Sequence, residues 1–373
     1  MTGLFFILAF LLSVFALAYA FFLLRVYGGL TRLGPAHRSS EQRPFVTVLL
    51  AARNEEGRIG RCLEFLRAQT YSSESYEIIV IDDGSTDSTG HIAAEVAQRA
   101  SNVRLIRMNG GGHKPTALAA GIAEARGEIV LATDADCIVP HGWINSMVMQ
   151  FDEKIDFVAG PVVERRGQTL ISGLSRIEFL GLIGVAAGLI GSRTPIFCNG
   201  ANIAYRKKAF VDAGGFGAGH ASDDEALLQR IHHRNPGSVA FSVEPESIVT
   251  TDPPLTFSEF WVQRVRWSSK RRVYERKSIL VIPVALYCFF LFYLLAGIAC
   301  IGTPELLPFL LAVTVIKVAL EITVLRTTAR LLRQRISWGH VFLAELGHVP
   351  YIVFAALQGQ AGLFRWKGAP IRS

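Results

Sequence analysis

The chain has 373 residues, half of them hydrophobic and only 18% charged, with a mean hydropathy of +0.34 and a formal net charge of +7. That balance excludes an ordinary soluble protein and points to membrane segments joined to one α/β unit. The basic surplus flanks apolar runs and lacks the interleaved aromatics of a nucleic-acid surface, so it fits anionic headgroups and excludes a nucleic-acid partner.

In chain order, Leu4 to Leu24 is apolar over the length that crosses a hydrocarbon core, which takes about 20 helical residues. It lacks a basic leading region and a clean small-residue cleavage site, and so reads as a retained span. Further candidate spans are Ile279 to Ile301, Leu306 to Leu325 and Val341 to Leu357. Basic groups follow the first span (Arg25, Arg32, Arg38), precede the second (Lys270, Arg271, Arg272, Arg276, Lys277) and follow the third (Arg326, Arg330, Arg333, Arg335). All share one side if the amino terminus is outside and the middle of the chain is cytoplasmic. Gly347, His348 and Pro350 interrupt the last run, which either crosses or returns the tail to the cytoplasm. Lys317 and Glu321, one turn apart, are either a self-neutralising pair or an intramembrane charge of the kind found in carriers. Cys62, Cys137, Cys198, Cys288 and Cys300 show no paired spacing and read as free thiols, Cys137 in a packing role.

Between the spans, Phe45 to Ala52 reads as a buried strand that breaks into Arg53-Asn54-Glu55-Glu56. A helix over Ile59 to Gln69 leads to a second strand, Glu77 to Ile81, ending in Asp82-Asp83-Gly84-Ser85-Thr86-Asp87. That polar run also suits the start of the next helix, Thr89 to Ala100. After a strand at Val103 to Arg107, Gly110-Gly111-Gly112-His113-Lys114 enters a helix over Thr116 to Ala125. Backbone N–H groups at such a turn, with the Lys114 charge, suit a phosphate. The strand Ile129 to Ala132 then runs into Asp134-Ala135-Asp136, two hard oxygen donors fit for a divalent cation carrying a diphosphate. Right-handed crossovers gather the polar strand ends on one edge, so Glu55, Asp83 and Asp136 are expected to converge.

Phe157 to Val163 is a further strand. Leu170 to Ile190 is apolar but broken by Arg176 and Glu178; a transmembrane span is the alternative, and the charges favour an amphipathic helix at the membrane surface. Cys198 to Arg206 carries Asn and Gly suited to a tight turn facing sugar hydroxyls, and Ser222-Asp223-Asp224-Glu225 opens a helix over Ala226 to His232. A last helix, Phe257 to Tyr274, sets Gln263 and Trp267 on one face, with Arg264 placed for a phosphate or for lipid headgroups.

Taken together, Ala52-Arg53-Asn54-Glu55, Asp82 to Asp87, Asp134-Ala135-Asp136 and Gln263-Arg264-Val265-Arg266-Trp267 resemble glycosyltransferase family 2, over roughly Val46 to Trp267. The resemblance implies a GT-A fold: an α/β domain with a doubly wound, mostly parallel sheet. It implies transfer of a hexose from a nucleotide diphosphate sugar, UDP-linked in many members, with inversion at the anomeric carbon. By the same resemblance, Glu55, Asp82, Asp83, Lys114 and Asp134 bind the donor, and Asp136 with Asp134 holds Mg2+ or Mn2+. Asp224, with Asp223 beside it, serves as general base, and Gln263, Arg264, Arg266 and Trp267 meet acceptor and diphosphate. The chain departs from the pattern at His113 and Pro115 around the lysine, and at Asp223, where Glu is usual.

The single leading span, the short carboxyl-terminal block and Trp366-Lys367-Gly368, with Ala369 where Arg is expected, are similar to ceramide glucosyltransferase-like members. A membrane lipid acceptor is therefore expected, such as a sphingolipid, glycerolipid or isoprenoid. Processive polysaccharide synthases share the motifs and give the rival reading; a non-catalytic carrier or binding protein is the third. Protein partners stay open, since a partner subunit could complete a channel in the synthase reading. The organisation expected is a transmembrane helix at 1–26, a linker at 27–43, a GT-A domain at 44–275 with its surface helix at 170–190, and a membrane domain of about three hydrophobic segments at 276–373. The setting implied is a bacterial inner membrane with the catalytic domain cytoplasmic.

Overall fold

Short aliphatic and β-branched runs with no polar side to show to water can only be satisfied in a sheet covered on both faces, and the central strands meet that requirement. In the computed structural model, which describes residues 2–35, 43–109, 114–216, 223–269, 277–361, 365–366 and 369–370, these runs form the middle of a seven-stranded sheet. The chain starts with α1 (Thr2–Leu30) and enters the sheet with β1 (Val46–Ala52), α2 (Ile59–Arg67), β2 (Tyr76–Asp82), α3 (Thr89–Arg99) and β3 (Val103–Arg107). It continues through α4 (Lys114–Glu124), β4 (Ile129–Asp134), α5 (Trp143–Val148), β5 (Phe157–Ala159), β6 (Val162–Glu164) and α6 (Leu170–Gly191). The second half holds β7 (Ile203–Arg206), α7 (Lys207–Asp212), α8 (Asp223–Arg234), β8 (Val239–Phe241), β9 (Val249–Thr251) and α9 (Phe257–Ser268). It closes with α10 (Val281–Ala299), α11 (Leu307–Leu331) and α12 (Trp338–Ala361).

The strand order is β3-β2-β1-β4-β7-β5-β8, with β7 antiparallel to both neighbours and the other pairings parallel. Successive crossovers thus run outward from β1 in one direction and resume with β4 on its other side, which makes the β1/β4 boundary the switch point where α/β sheets bind ligands. Register aligns the strand ends there: Ala52 pairs with Asp82, and Ala51 with Asp134.

The expected strand over Phe157 to Val163 is two strands. Gly160 and Pro161 intervene, the chain turns, and β6 leaves the main sheet to pair with β9. Proline has no N–H to give a central ladder, which is reason enough for the break.

Among the described residues, five helices are long and apolar enough to cross a membrane: those at Phe6–Leu30, Leu170–Gly191, Val281–Ala299, Pro304–Leu331 and Trp338–Ala361. The second of these, expected to lie at the membrane surface, is by length and composition also able to cross. Of its most apolar window 61% is buried, against 17–22% in the others. One side of α6 meets β6 and β8, and the other meets α1, α11 and α12. Gly188 lets the α1 backbone reach it, since a side chain there would strike the Val26 carbonyl. Its two charges are consumed internally: Arg176 donates to the Glu164 carbonyl and to Gln334 (3.0 Å), and Glu178 pairs with Arg264.

The last helix keeps its hydrogen-bonded course through Pro350, and both of its ends meet helices attached to the α/β unit. Its start lies against α6, with His340 beside Gly173; its end lies against α9, where Ser268 donates to the Ala355 carbonyl and Trp261 to Gln358 (2.7 Å). One apolar core runs from the sheet into these helices without a break.

Candidate active site

The loops beyond β1 and β2 are laced together before any ligand is considered. Asn54, in a left-handed conformation (φ 53°), accepts from the Thr86 amide (2.9 Å), and its own amide donates to Ser85. The Glu55 amide donates to Thr89 Oγ1 (2.7 Å), the Glu56 amide to Asp87, and the Ser88 amide to the Glu56 carboxylate. Asp87 also accepts from the Thr89 amide at the head of α3, so the polar run caps the helix as well as joining the loops. These bonds hold Glu55 and Asp83 in fixed relation at the switch point.

The Asp82 carboxylate accepts from the Ser85 amide (3.0 Å) and closes the turn that presents Asp83. Asp83 is buried, with Arg53 4.0 Å away. Past β4, Asp134 pairs with Lys114, the first residue of α4, while Asp136 stands behind it. Burial raises the Asp136 carboxyl above the usual range, and the charges of Asp134 and Glu55 raise it further. Cys137 is buried in support of the turn, and its thiol donates to Asp136 (3.6 Å).

Lys114 links this group to the acceptor half. Burial by itself would lower its pKa, but the charges of Asp134 and Asp224 outweigh that and raise it. Asp224 lies in the first turn of α8, and Gly200 leaves the room its carboxylate occupies: a side chain at Gly200 would overlap Asp224 Oδ2. The Cys198 thiol donates to the Asp224 carbonyl (3.7 Å). Asp223 opens the same helix, and its side chain lies outside those described, as do Gly110 to His113, Ser222 and the basic run Lys270 to Arg276.

Nearby, Asn202 proves structural. It is fully buried, accepts from Trp143 Nε1 (2.9 Å) and donates to the carbonyls of Pro161 and Ser247, so it has nothing left for a sugar hydroxyl.

Helix α9 sends its two arginines in different directions. Residues two apart on an α-helix point about 200° apart. Arg266 lies toward Asp134 and Asp136, whose charges raise its pKa against a burial that lowers it on balance. Arg264, only 4% exposed, instead donates to Glu178 of α6 (2.7 Å) and to Ser175 (3.1 Å). Its guanidinium sits 4.4 Å from the ring centroids of both Phe260 and Trp267. The charge of Arg264, expected at a diphosphate or at headgroups, is here engaged inside the protein by Glu178. Gln263 accepts from Arg264, and Trp267 packs on Phe179.

Sequence reasoning passed over Arg58, which reaches Glu55 (3.3 Å), and the group Glu164, Glu178 and Tyr351 around Arg264. No motif marks these residues, because their partners come from distant segments. The start of α9 did carry a local signal, the Thr256/Glu259 capping box that the structure contains.

Carboxylates gathered at the switch point of such a sheet, with apolar helices packed on its flank, define a membrane-associated protein of the GT-A fold. Residues 47–214 match glycosyl transferase family 2, and this segment is a domain of that family. Poly-beta-1,6-N-acetyl-D-glucosamine synthase of Staphylococcus aureus is 29% identical over 231 residues, 60% of this chain and 53% of the relative. A probable glycosyltransferase, YdaM, of Bacillus subtilis is 29% identical over 238 residues, 61% of this chain and 55% of the relative. The chain thus spans about half the length of the curated relatives it matches. A mannosyltransferase of Pyrobaculum calidifontis, solved with GDP-Man and Mn2+, shares the fold along nearly the whole chain. Its TM-score is 0.63 at 19% identity, covering 94% of this chain and 98% of its own.

Proposed function

We propose that the protein transfers a hexose from a UDP-linked nucleotide diphosphate sugar to the hydroxyl of a membrane lipid, with inversion. In this reading it works at the cytoplasmic face of a bacterial inner membrane. The observation that carries the proposal is the meeting of Glu55, Asp134, Asp136, Lys114, Asp224 and Arg266 at one sheet edge beside apolar helices.

The donor half is assigned to Glu55 and Asp83, whose carboxylates can accept a nucleobase N–H. Asp134 and Asp136 on one short turn, with Glu55 acting on Asp136 through its charge, offer hard oxygen donors of the kind that suit Mg2+ or Mn2+. Asp136 and Asp134 would hold that cation, which supplies Lewis-acid neutralisation of charge on the departing diphosphate. Lys114 and Arg266 add fixed positive charge on the same side. Asp224 takes the proton from the acceptor hydroxyl as it attacks, and Gly200 gives that carboxylate its place.

The likeness to a poly-N-acetylglucosamine synthase favours a second reading, processive polysaccharide synthesis. One assay separates them: purified protein in detergent, a panel of UDP- and GDP-sugars, Mg2+ or Mn2+, and extracted membrane lipids. The expected product is a lipid carrying one sugar, lost with a chelator and restored by either metal. A polymer ladder supports the synthase, and no nucleotide release from any donor would sink both.

A further inference from the structure

Helices α1, α6, α9, α10, α11 and α12 enclose a cavity of about 860 Å³ that is lined mainly by aliphatic and aromatic side chains. This is within the range of pockets that take a small molecule or a lipid tail. The cavity adjoins the catalytic rim through two segments. Ile196 and Phe197 line it, while the next residue, Cys198, donates to the backbone of Asp224. Trp267 lines it, while its neighbour Arg266 lies toward Asp134 and Asp136.

Two charged groups interrupt the wall, alongside the uncharged polar side chains of Ser268, Tyr287, His348 and Gln360, and their charge is what chooses an occupant. Toward the α/β unit, Glu178 pairs with Arg264 and accepts from Tyr351. Further along, Glu321 and Glu345 share Lys317, each at 2.7 Å, and Glu321 accepts from Tyr19. Three carboxylates thus face two cations, and both cations are already engaged. A phosphate entering here would meet acids without an uncommitted cation among the described lining residues, at low dielectric where that repulsion is strong. A hydroxyl or amide N–H would instead find carboxylate oxygens able to accept it.

We propose that this cavity binds the acceptor as a lipid with an uncharged, hydroxyl- or amide-bearing headgroup, and that it selects against lipid phosphates. The inference rests on the transferase reading for the occupant's role as acceptor, but not for what the cavity binds.

The wild-type protein in detergent micelles can be photolabelled with a diazirine-bearing diacylglycerol and the labelled peptides mapped. Labelling is expected on the cavity faces of α6, α10 and α12, with dioleoylglycerol competing at least about tenfold better than undecaprenyl phosphate. Equal or better competition by undecaprenyl phosphate overturns the proposal, and so does uncompeted labelling confined to outward-facing residues such as Leu311 and Val315. Nucleotide release from sugar donors, measured on the same preparation, tests the transferase reading separately. Its absence alongside competed labelling refutes that reading and leaves the cavity assignment standing. Removing two of the carboxylates, with Glu321→Gln and Glu345→Gln together, should shrink the preference for the neutral lipid by about tenfold. An unchanged preference in that folded variant would refute the charge argument, and if the variant fails to fold, the wild-type competition still decides.

Discussion

The sheet-edge site and the charged cluster among the apolar helices are made of the same materials, carboxylates beside lysine and arginine, and differ in how the charges are matched. At the edge, burial and the charges of Asp134 and Glu55 raise the Asp136 carboxyl, even with the opposite charges of Lys114 and Arg266 acting on the same acids. In the helices, Lys317 is gripped by Glu321 and Glu345, and Arg264 by Glu178, with hydrogen bonds completing each set. Crowded acids near solvent leave a place for a cation and its ligand. Acids that each hold a buried partner fasten elements to one another, here α9 to α6 and α12 to α11. Lys317 thereby takes the self-neutralising reading of its sequence position over the carrier reading.

The comparison breaks if the edge proves structural or the cluster dispensable. The largest effect is expected at the edge: Asp136→Ala should lower transfer by about 10³-fold or more. Asp224→Ala should lower it by about 10²–10⁴-fold, the range for loss of a general base. Both variants should unfold within a few degrees of the wild type, and a large drop in their melting temperature would contradict the assignment.

Next comes Lys317→Met, which leaves two half-buried carboxylates facing each other without their cation and should cost about 3 kcal/mol of stability in a denaturant titration. Adding Glu321→Gln and Glu345→Gln should recover most of that loss. Wild-type stability in the single variant would show that the cluster fastens nothing.

Glu164, 3% exposed beside this network, sharpens the point through pH. Burial pushes its carboxyl up to about 7, Glu178 adds to the shift, and Arg264 and Ser175 pull against it. An acid raised in the folded state contributes stability in full below its unfolded value, and loses it as pH rises through 7. Glu164→Gln should therefore match the wild type near pH 4 and exceed it above pH 7, by on the order of 1–3 kcal/mol. A constant difference across that window would refute the burial.

The smallest effect is at Cys137, whose thiol only supports Asp136. Cys137→Ala should weaken apparent metal affinity by about tenfold while activity at saturating metal is kept.

Much of the fold was legible because it depends on local pattern. Val103 to Arg107 stands as read, and β1, β2 and β4 differ from expectation only at their ends, since an apolar run bounded by polar residues has few other uses. The candidate acids could also be listed from their places after strands. What could not be read were the assignments that need a partner: Asp82 closing its turn, Asn202 filled by Trp143, and α6 buried on both sides. The charges in Leu170 to Ile190 suggested a water-facing side because their partners, Arg264, Tyr351 and Gln334, lie 86, 173 and 158 residues away.

By itself, then, the amino-acid sequence determined which acids follow which strands and which helices are too apolar for water, because strand and helix periodicity are local properties of the chain. Its last motif set Arg264 and Arg266 on one helix, two residues and so about 200° apart. Only the tertiary structure decided which of the two meets the aspartates and which is buried against Glu178. That choice depends on the rotation at which α9 packs between the sheet edge and α6, and this rotation is settled by the joint burial of side chains from distant segments, Phe179, Phe260, Trp267 and Tyr351 among them.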